Sequence, residues 1–95
     1  MNKYTLSSTG IDSFLWDIRF ALWKRHSEGE MQRLVSPLVY WINTGRASTS
    51  NLKALLSMRI CDIVKALELG GSDEEVIVRL RNKAERKAKQ LERIA

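Results

Sequence analysis

Apolar residues recur every three or four positions in four segments of this chain, and this spacing limits its fold more than any other feature. Such spacing places the apolar side chains on one face of an α-helix. Residues that favour turns are few, with one proline and five glycines among 95 residues. The sequence therefore predicts an all-α protein, a small bundle of about four helices in a single domain over residues 1–95.

Helix-start and helix-stop signals divide the chain into these four segments. The first predicted helix follows residues 8–10, where Thr9 or a neighbour caps it, and it ends near His26. The second and fourth helices open with capping boxes at 27–30 and 72–75. In such a box, a serine and a glutamate three residues later satisfy each other's free backbone amides.

Pro37 lies inside the second segment, where a proline removes one backbone hydrogen bond of a helix. Two interpretations remain open: the helix kinks at Pro37, or Ser36 caps a new helix that has Pro37 as its first residue. The apolar stripe keeps one phase as far as Ile42. This continuity favours a single kinked helix.

Residues 49–69 are compatible with two arrangements. Leu56, Met58 and Ile63 occupy positions at which a helix-turn-helix motif has apolar residues. Lys53, however, stands where that motif requires a small buried residue. The pattern therefore favours one amphipathic helix over a helix-turn-helix.

Patterns typical of catalysis and metal binding do not occur in the sequence. His26 and Cys61 are the one histidine and the one cysteine, which is too few for a structural zinc site in one chain. No phosphate-binding loop or nucleophile elbow is recognisable. We therefore predict no enzyme activity, no catalytic residues, no metal and no cofactor. His26 is interpreted as a cation at a helix C-terminus and Cys61 as a small buried hydrophobe.

Cysteine use and hydropathy bear on the cellular compartment. A single cysteine forms no intramolecular disulfide, and the first residues do not have the basic and then apolar order of a signal peptide. No stretch approaches the roughly 18 apolar residues that a membrane span needs. We expect a cytoplasmic protein that does not contact a membrane.

The first predicted helix has two apolar faces. Five side chains within about 100° of arc form one of them: Ile11, Phe14, Leu15, Ile18 and Leu22. Trp16, Phe20 and Trp23 form a second stripe on roughly the opposite side, and Arg19 lies beside it. Either this helix is central and buried on both sides, or the second stripe binds a protein, whether a second copy or another partner. These four residues are the candidate protein-binding site.

The formal net charge of +5 is concentrated in the last 17 residues. Residues 1–78 contain equal numbers of basic and acidic side chains, whereas residues 79–95 contain seven basic and two acidic ones. These basic residues are candidate contacts to phosphate or to an acidic protein: Arg79, Arg81, Lys83, Arg86, Lys87, Lys89 and Arg93. The alternative is that they form a solvated helix face.

The basic helix, over about residues 72–95, also carries a short heptad pattern. Ile77, Leu80, Leu91 and Ile94 follow alternating steps of three and four, interrupted by Ala84 and Lys87. Because the pattern is short, we do not expect an independent coiled coil. Two interpretations remain open: the helix pairs in a homo-oligomer, most simply a dimer, or it lies along a neighbouring helix. The oligomerisation candidates are Ile77, Leu80, Leu91 and Ile94.

Over essentially its whole length the chain resembles the derepression proteins of satellite phages. The resemblance is carried by TLSSTGIDSFLWDIRFALWKRH (5–26), by WINTGRASTSNLKALL (41–56) and by the length of 95 residues. It implies an antirepressor, which binds the immunity repressor of a helper temperate phage and stops it acting at its operator. Helper genes are then derepressed in the bacterial host cell. The family has no catalytic residues to carry over.

Three functions follow from these observations. The first is an antirepressor whose partner is a phage repressor protein. The second is a transcriptional regulator that binds DNA directly, with a helix-turn-helix at 49–69 and the basic C-terminal helix on the phosphates. The third is a small structural or assembly subunit that dimerises through its last helix.

Overall fold

Five α-helices follow one another in the structure, a computed structural model that describes the backbone of residues 4–94 and the side chains of residues 4–93. They are α1 (Ser8–Trp23), α2 (Glu28–Asn43), α3 (Thr49–Ser57), α4 (Ile60–Glu68) and α5 (Asp73–Ile94). The described range contains no strand. The predicted all-α class is confirmed. The count is five rather than about four, because residues 49–69 form two helices.

Ser7 caps α1, so that residues 8–10 form the first turn instead of preceding it. The Ser7 hydroxyl accepts a hydrogen bond from the Gly10 amide at 3.1 Å. Gly10 is buried, and a Cβ atom at this position would overlap the backbone carbonyl of Thr5. The absence of a side chain therefore lets the segment before α1 lie directly against its first turn.

Gly10→Ala is expected to lower the free energy of unfolding by about 1–3 kcal/mol, because the Thr5 carbonyl must move to admit the methyl group. Tyr4 resists that movement. Its ring is buried with its edge towards Phe14, at 5.4 Å between centroids, and its hydroxyl donates to the Asp17 carboxylate. Urea unfolding followed by circular dichroism measures the loss.

Gly29→Ala is the matched control for this substitution. Gly29 lies in the first turn of α2 with no atom within 4 Å of an added Cβ. The change is expected to be neutral or to stabilise by up to about 1 kcal/mol, since alanine is the better helix former. Equal unfolding free energies for the two variants would contradict the close packing at Gly10.

The second helix is continuous from Glu28 to Asn43, with Pro37 buried inside it. The interpretation of one helix is confirmed, and the alternative split at Ser36 is wrong. Ser27 caps the helix by accepting a hydrogen bond from the Glu30 amide at 3.3 Å. The Glu30 carboxylate pairs with Arg33, so the serine half of the predicted capping box forms and the glutamate half does not.

Met58 and Arg59 divide the third helical region into α3 and α4, so the favoured single amphipathic helix is wrong. Both residues have extended backbone, with ψ angles of 155° and 139°. The break lets α3 pack against α5 while α4 packs against α1 and α5.

The last helix begins with the complete capping box that the sequence predicts. The Ser72 amide donates to Glu75 Oε1 at 3.2 Å, and the Glu75 amide donates to the Ser72 hydroxyl at 3.2 Å. Hydrogen bonding from the Ser72 backbone, and secondarily from its side chain, holds the pKa of Glu75 below its ordinary value. The helix then crosses α2, α3 and α4.

The core draws on one face of every helix. Its larger, fully buried side chains are Phe14, Ile18, Leu22, Val35, Leu38, Leu55, Ile63, Leu67 and Leu80. Cys61 is exposed, and the expectation that it is buried is wrong. The inward face of α4 is formed by Ile63, Val64 and Leu67, and Cys61 points away from it by about 100° of helical rotation.

His26 connects the turn after α1 to the end of α4. Its Nε2 atom lies 2.6 Å from Glu68 Oε2, and Arg25 Nε lies 3.0 Å from the same oxygen. The Glu68 side chain is only 16% exposed. These contacts to Glu68 tie the turn after α1 to the end of α4.

Candidate protein-binding surface

Trp16, Phe20 and Trp23 project from the side of α1 that faces away from the core. Their exposed fractions are 53%, 49% and 55%. The opposite side of α1 is the buried one, with Phe14, Ile18 and Leu22 inaccessible to solvent. The alternative that α1 is buried on both sides within its own chain is therefore wrong. We call Trp16, Phe20 and Trp23 the aromatic face.

The three rings of the aromatic face contact one another in a row. The centroids of Trp16 and Phe20 are 5.8 Å apart, and those of Phe20 and Trp23 are 6.4 Å apart. The guanidinium of Arg19 lies 5.1 Å from the Trp16 ring centroid, within the range of a cation–π interaction. Each ring limits the movement of its neighbours. The row is thus a preformed ridge that loses little rotational freedom when a partner covers it.

A shallow groove beside this ridge is completed by the first turns of α2. Its α2 side is formed by Glu28, Met31 and Gln32. Apolar side chains and a few polar ones, Arg19, Glu28 and Gln32, therefore line one groove, a mixture that protein-binding sites commonly have. Covering each half-exposed ring is worth on the order of 1–3 kcal/mol. A partner that covers the whole ridge therefore gains several kcal/mol before the cost of association.

All four predicted binding residues, Trp16, Arg19, Phe20 and Trp23, lie together at this groove. The α2 side of the groove was missed at the sequence level. Met31 follows the apolar stripe of α2, and it is indeed almost completely buried. Nothing in its spacing indicates that its edge also lines a groove with α1.

The seven basic residues of the C-terminal segment have different environments. Arg79 Nη1 donates to the carbonyl oxygens of Ala66 at 2.9 Å and Gly70 at 3.0 Å, and so caps the end of α4. Its guanidinium is therefore engaged inside the protein. The other six are exposed or half-buried: Arg81, Lys83, Arg86, Lys87, Lys89 and Arg93.

Three of these cations line a groove between α5 and the turn that joins α3 to α4. They are Lys83, Arg86 and Lys87, and Met58 and Arg59 lie on the other side. Arg59 is paired with Asp62, at 3.3 Å between Nε and Oδ2. We call Lys83, Arg86 and Lys87 the basic groove.

The candidate oligomerisation residues of α5 are also placed differently from one another. Leu80 is fully buried in the core of its own chain. Ile77 is partly buried against that core, and Leu91 is half-buried. The side chain of Ile94 lies outside the described residues. For Ile77 and Leu91, a role in self-association stays a prediction.

Fold and site together define a small all-helical protein with an exposed aromatic ridge. Comparisons of the chain with protein-family models, curated proteins and solved structures found no match. Within residues 4–94, no helix has the length and apolar character to cross a membrane. In the same range, no three histidine, cysteine, aspartate or glutamate side chains are grouped so as to hold a metal ion.

Proposed function

We propose that this protein is an antirepressor, which binds the immunity repressor of a helper temperate phage through its aromatic face. The observation that carries the proposal is the continuous, half-exposed row of Trp16, Phe20 and Trp23. Tryptophan and arginine are the residue types most enriched where protein interfaces hold most of their binding energy. The resemblance to satellite-phage derepression proteins supports a repressor as the partner.

The spacing of the aromatic face supports a particular mode of binding. Positions 16, 20 and 23 follow the i, i+4, i+7 pattern of a helix that places its anchors in an apolar groove. In this mode α1 supplies the helix and the repressor supplies the groove. Arg19 stands beside the anchors and is available to a carboxylate at the groove's edge.

Derepression then follows from mass action. A ligand that prefers a repressor form unable to bind the operator shifts the population towards that form by its differential affinity. Two routes lead to this result: the protein covers the DNA-reading surface, or it holds several repressors in a geometry that does not match the half-site spacing.

The charges beside the aromatic face favour the second route. A surface that reads DNA is itself basic, so a protein that covers it directly needs acidic groups. The aromatic face is bordered by Arg19 and Lys24 as well as by Glu28, so it is not an acidic surface. Misalignment of bound repressors needs no acidic surface and is compatible with an apolar contact. The protein would act in the cytoplasm of the bacterial host.

A mobility-shift assay on the repressor–operator complex tests the proposal. Adding the protein to purified repressor on its operator should release the DNA, and calorimetry should show a protein–repressor complex over the same concentrations. An unchanged operator complex, together with no heat of binding, would refute the antirepressor function.

A direct DNA-binding regulator is the second candidate. Its support is the break between α3 and α4 at residues 58–59, where a helix-turn-helix at 49–69 has its turn, next to the basic groove. Its weakness is α4, where Asp62 and Glu68 offset Lys65, and Arg59 at the start of the helix is already paired with Asp62.

We expect no mobility shift of duplex operator DNA by this protein alone at low salt. If the second candidate is correct, the shift appears and weakens steeply with salt, because each neutralised phosphate releases counterions. Lys83→Glu with Lys87→Glu should then abolish it. Such a salt-dependent shift would replace the antirepressor by the DNA-binding regulator.

A further inference from the structure

A second exposed patch lies where the end of α2 meets the first half of α5, and it shares no residue with the aromatic face. Its apolar centre consists of Tyr40, 47% exposed, Val78, 37% exposed, and the partly buried Ile77. Charged side chains surround this centre. The α2–α5 patch consists of Tyr40, Ile77 and Val78 with the charged Arg46, Asp73, Glu74 and Arg81 around them.

The charges of the α2–α5 patch have both signs and few partners. The Arg46 guanidinium lies 5.6 Å from the Tyr40 ring centroid. Glu74 and Arg81 are exposed, and neither makes a side-chain hydrogen bond or ion pair with another described residue. A partner of uniform charge would attract the side chains of one sign and repel those of the other. A surface with the same mixture of charges offers an opposite charge to the acidic and to the basic side chains.

The charged and apolar residues of α5 are spaced so that two copies of the helix can pair about a two-fold axis. Glu74 and Arg81 are seven residues, about 10 Å, apart on the same side of the helix, with Ile77 and Val78 midway between them. Suppose that two α5 helices lie antiparallel about an axis between Ile77 and Val78. Glu74 then lies opposite Arg81 of the second copy, and Ile77 lies opposite Val78 of the second copy. Such self-complementarity is what a two-fold interface requires.

We propose that the α2–α5 patch binds a second copy of this chain, forming a two-fold symmetric dimer with antiparallel α5 helices. The centre of the interface is apolar, with Tyr40 alongside, and its edges are two symmetric Glu74–Arg81 pairs. This interface is not the one that the heptad pattern of α5 predicts, since Leu80 of that pattern belongs to the core of its own chain. It leaves both aromatic faces out of the contact. The dimer does not depend on the proposed antirepressor function, and its test uses the protein alone.

Sedimentation equilibrium of the full chain, wild type against Val78→Glu, tests the dimer. The wild type should dimerise, and the variant should raise the dissociation constant by at least about tenfold, because symmetry places the buried charge at the interface twice. Leu69→Glu is the control, since Leu69 is 73% exposed and lies outside the patch. It should leave the dissociation constant unchanged, and circular dichroism should show the same helix content in all three proteins.

A charge exchange tests the symmetry itself. Glu74→Arg alone and Arg81→Glu alone place like charges opposite each other and should each weaken the dimer. The double variant restores opposite charges and should dimerise within about threefold of the wild type. The proposal is overturned by a wild type that stays monomeric at concentrations on the order of 1 mM, or by a double variant no better than the single ones. A dimer that survives Val78→Glu but dissociates with Trp23→Ala would also overturn it, because the interface would then be the aromatic face.

Discussion

Trp16→Ala combined with Trp23→Ala is expected to weaken binding to the repressor by at least about a hundredfold. Truncating a central interface tryptophan commonly costs about 2 kcal/mol or more, and these two rings lie at the ends of one ridge. Both side chains are about half exposed in the free protein and belong to none of the core. Helix content should therefore stay at the wild-type level while the binding energy is lost. Calorimetry with purified repressor measures the affinity, and circular dichroism measures the fold.

Leu69→Ala is the matched control for the tryptophan variant. Leu69 is the most exposed of the large apolar side chains in the described range and lies outside the aromatic face. Its truncation should leave repressor binding unchanged. If the double tryptophan variant keeps its helix content and binds as tightly as the wild type, the aromatic face is not the repressor-binding surface.

The parts of the fold that were predicted from sequence depend on local interactions. Ser27 and Ser72 start helices where the capping boxes predict them, because each cap is a hydrogen bond between residues three apart. The inner face of α1 is buried as its spacing predicts. Pro37 lies within one helix because the continuous stripe of α2 packs on the core on both sides of it.

The parts that were not predicted depend on contacts between helices. The break at Met58–Arg59 contains no proline or glycine, and its effect is that α3 packs against α5 while α4 packs against α1 and α5. Arg79 is one of seven basic residues among positions 79–95 of the sequence. Only the approach of α5 to the end of α4 makes it a cap for two carbonyl groups.

Spacing alone also did not decide whether the aromatic face is buried in its own chain or exposed to a partner, because this depends on contacts between helices. A stripe at i, i+4, i+7 is equally suited to a central helix and to a binding helix, because burial depends on what packs against it. The helices α2 and α4 pack against α1 without covering Trp16, Phe20 and Trp23. The exposure of the ridge is thus a property of the tertiary arrangement.

Leu80→Ala is expected to lower the free energy of unfolding by about 2–5 kcal/mol, the range for truncating a fully buried leucine. A domain of this size has a total of about 5–15 kcal/mol, so the variant loses a large share of its stability. Leu91→Ala, on the same helix but half-buried, should lose less than about 1.5 kcal/mol. Urea unfolding of the wild type and both variants, at a low and at a high protein concentration, gives the comparison, because dimerisation makes stability depend on concentration.

The pair of leucines also decides between two roles for the heptad pattern of α5. If the pattern serves the core of its own chain, the loss at Leu80 is the same at every protein concentration, since its neighbours are intramolecular. A coiled-coil dimer through the seam would have to withdraw Leu80 from that core, and the cost of the cavity left behind would offset the gain from the new contact. If Leu80→Ala and Leu91→Ala lower the free energy of unfolding equally, and by amounts that vary with protein concentration, the heptad pattern does not serve the core of its own chain. It would then be the contact between the chains of an oligomer.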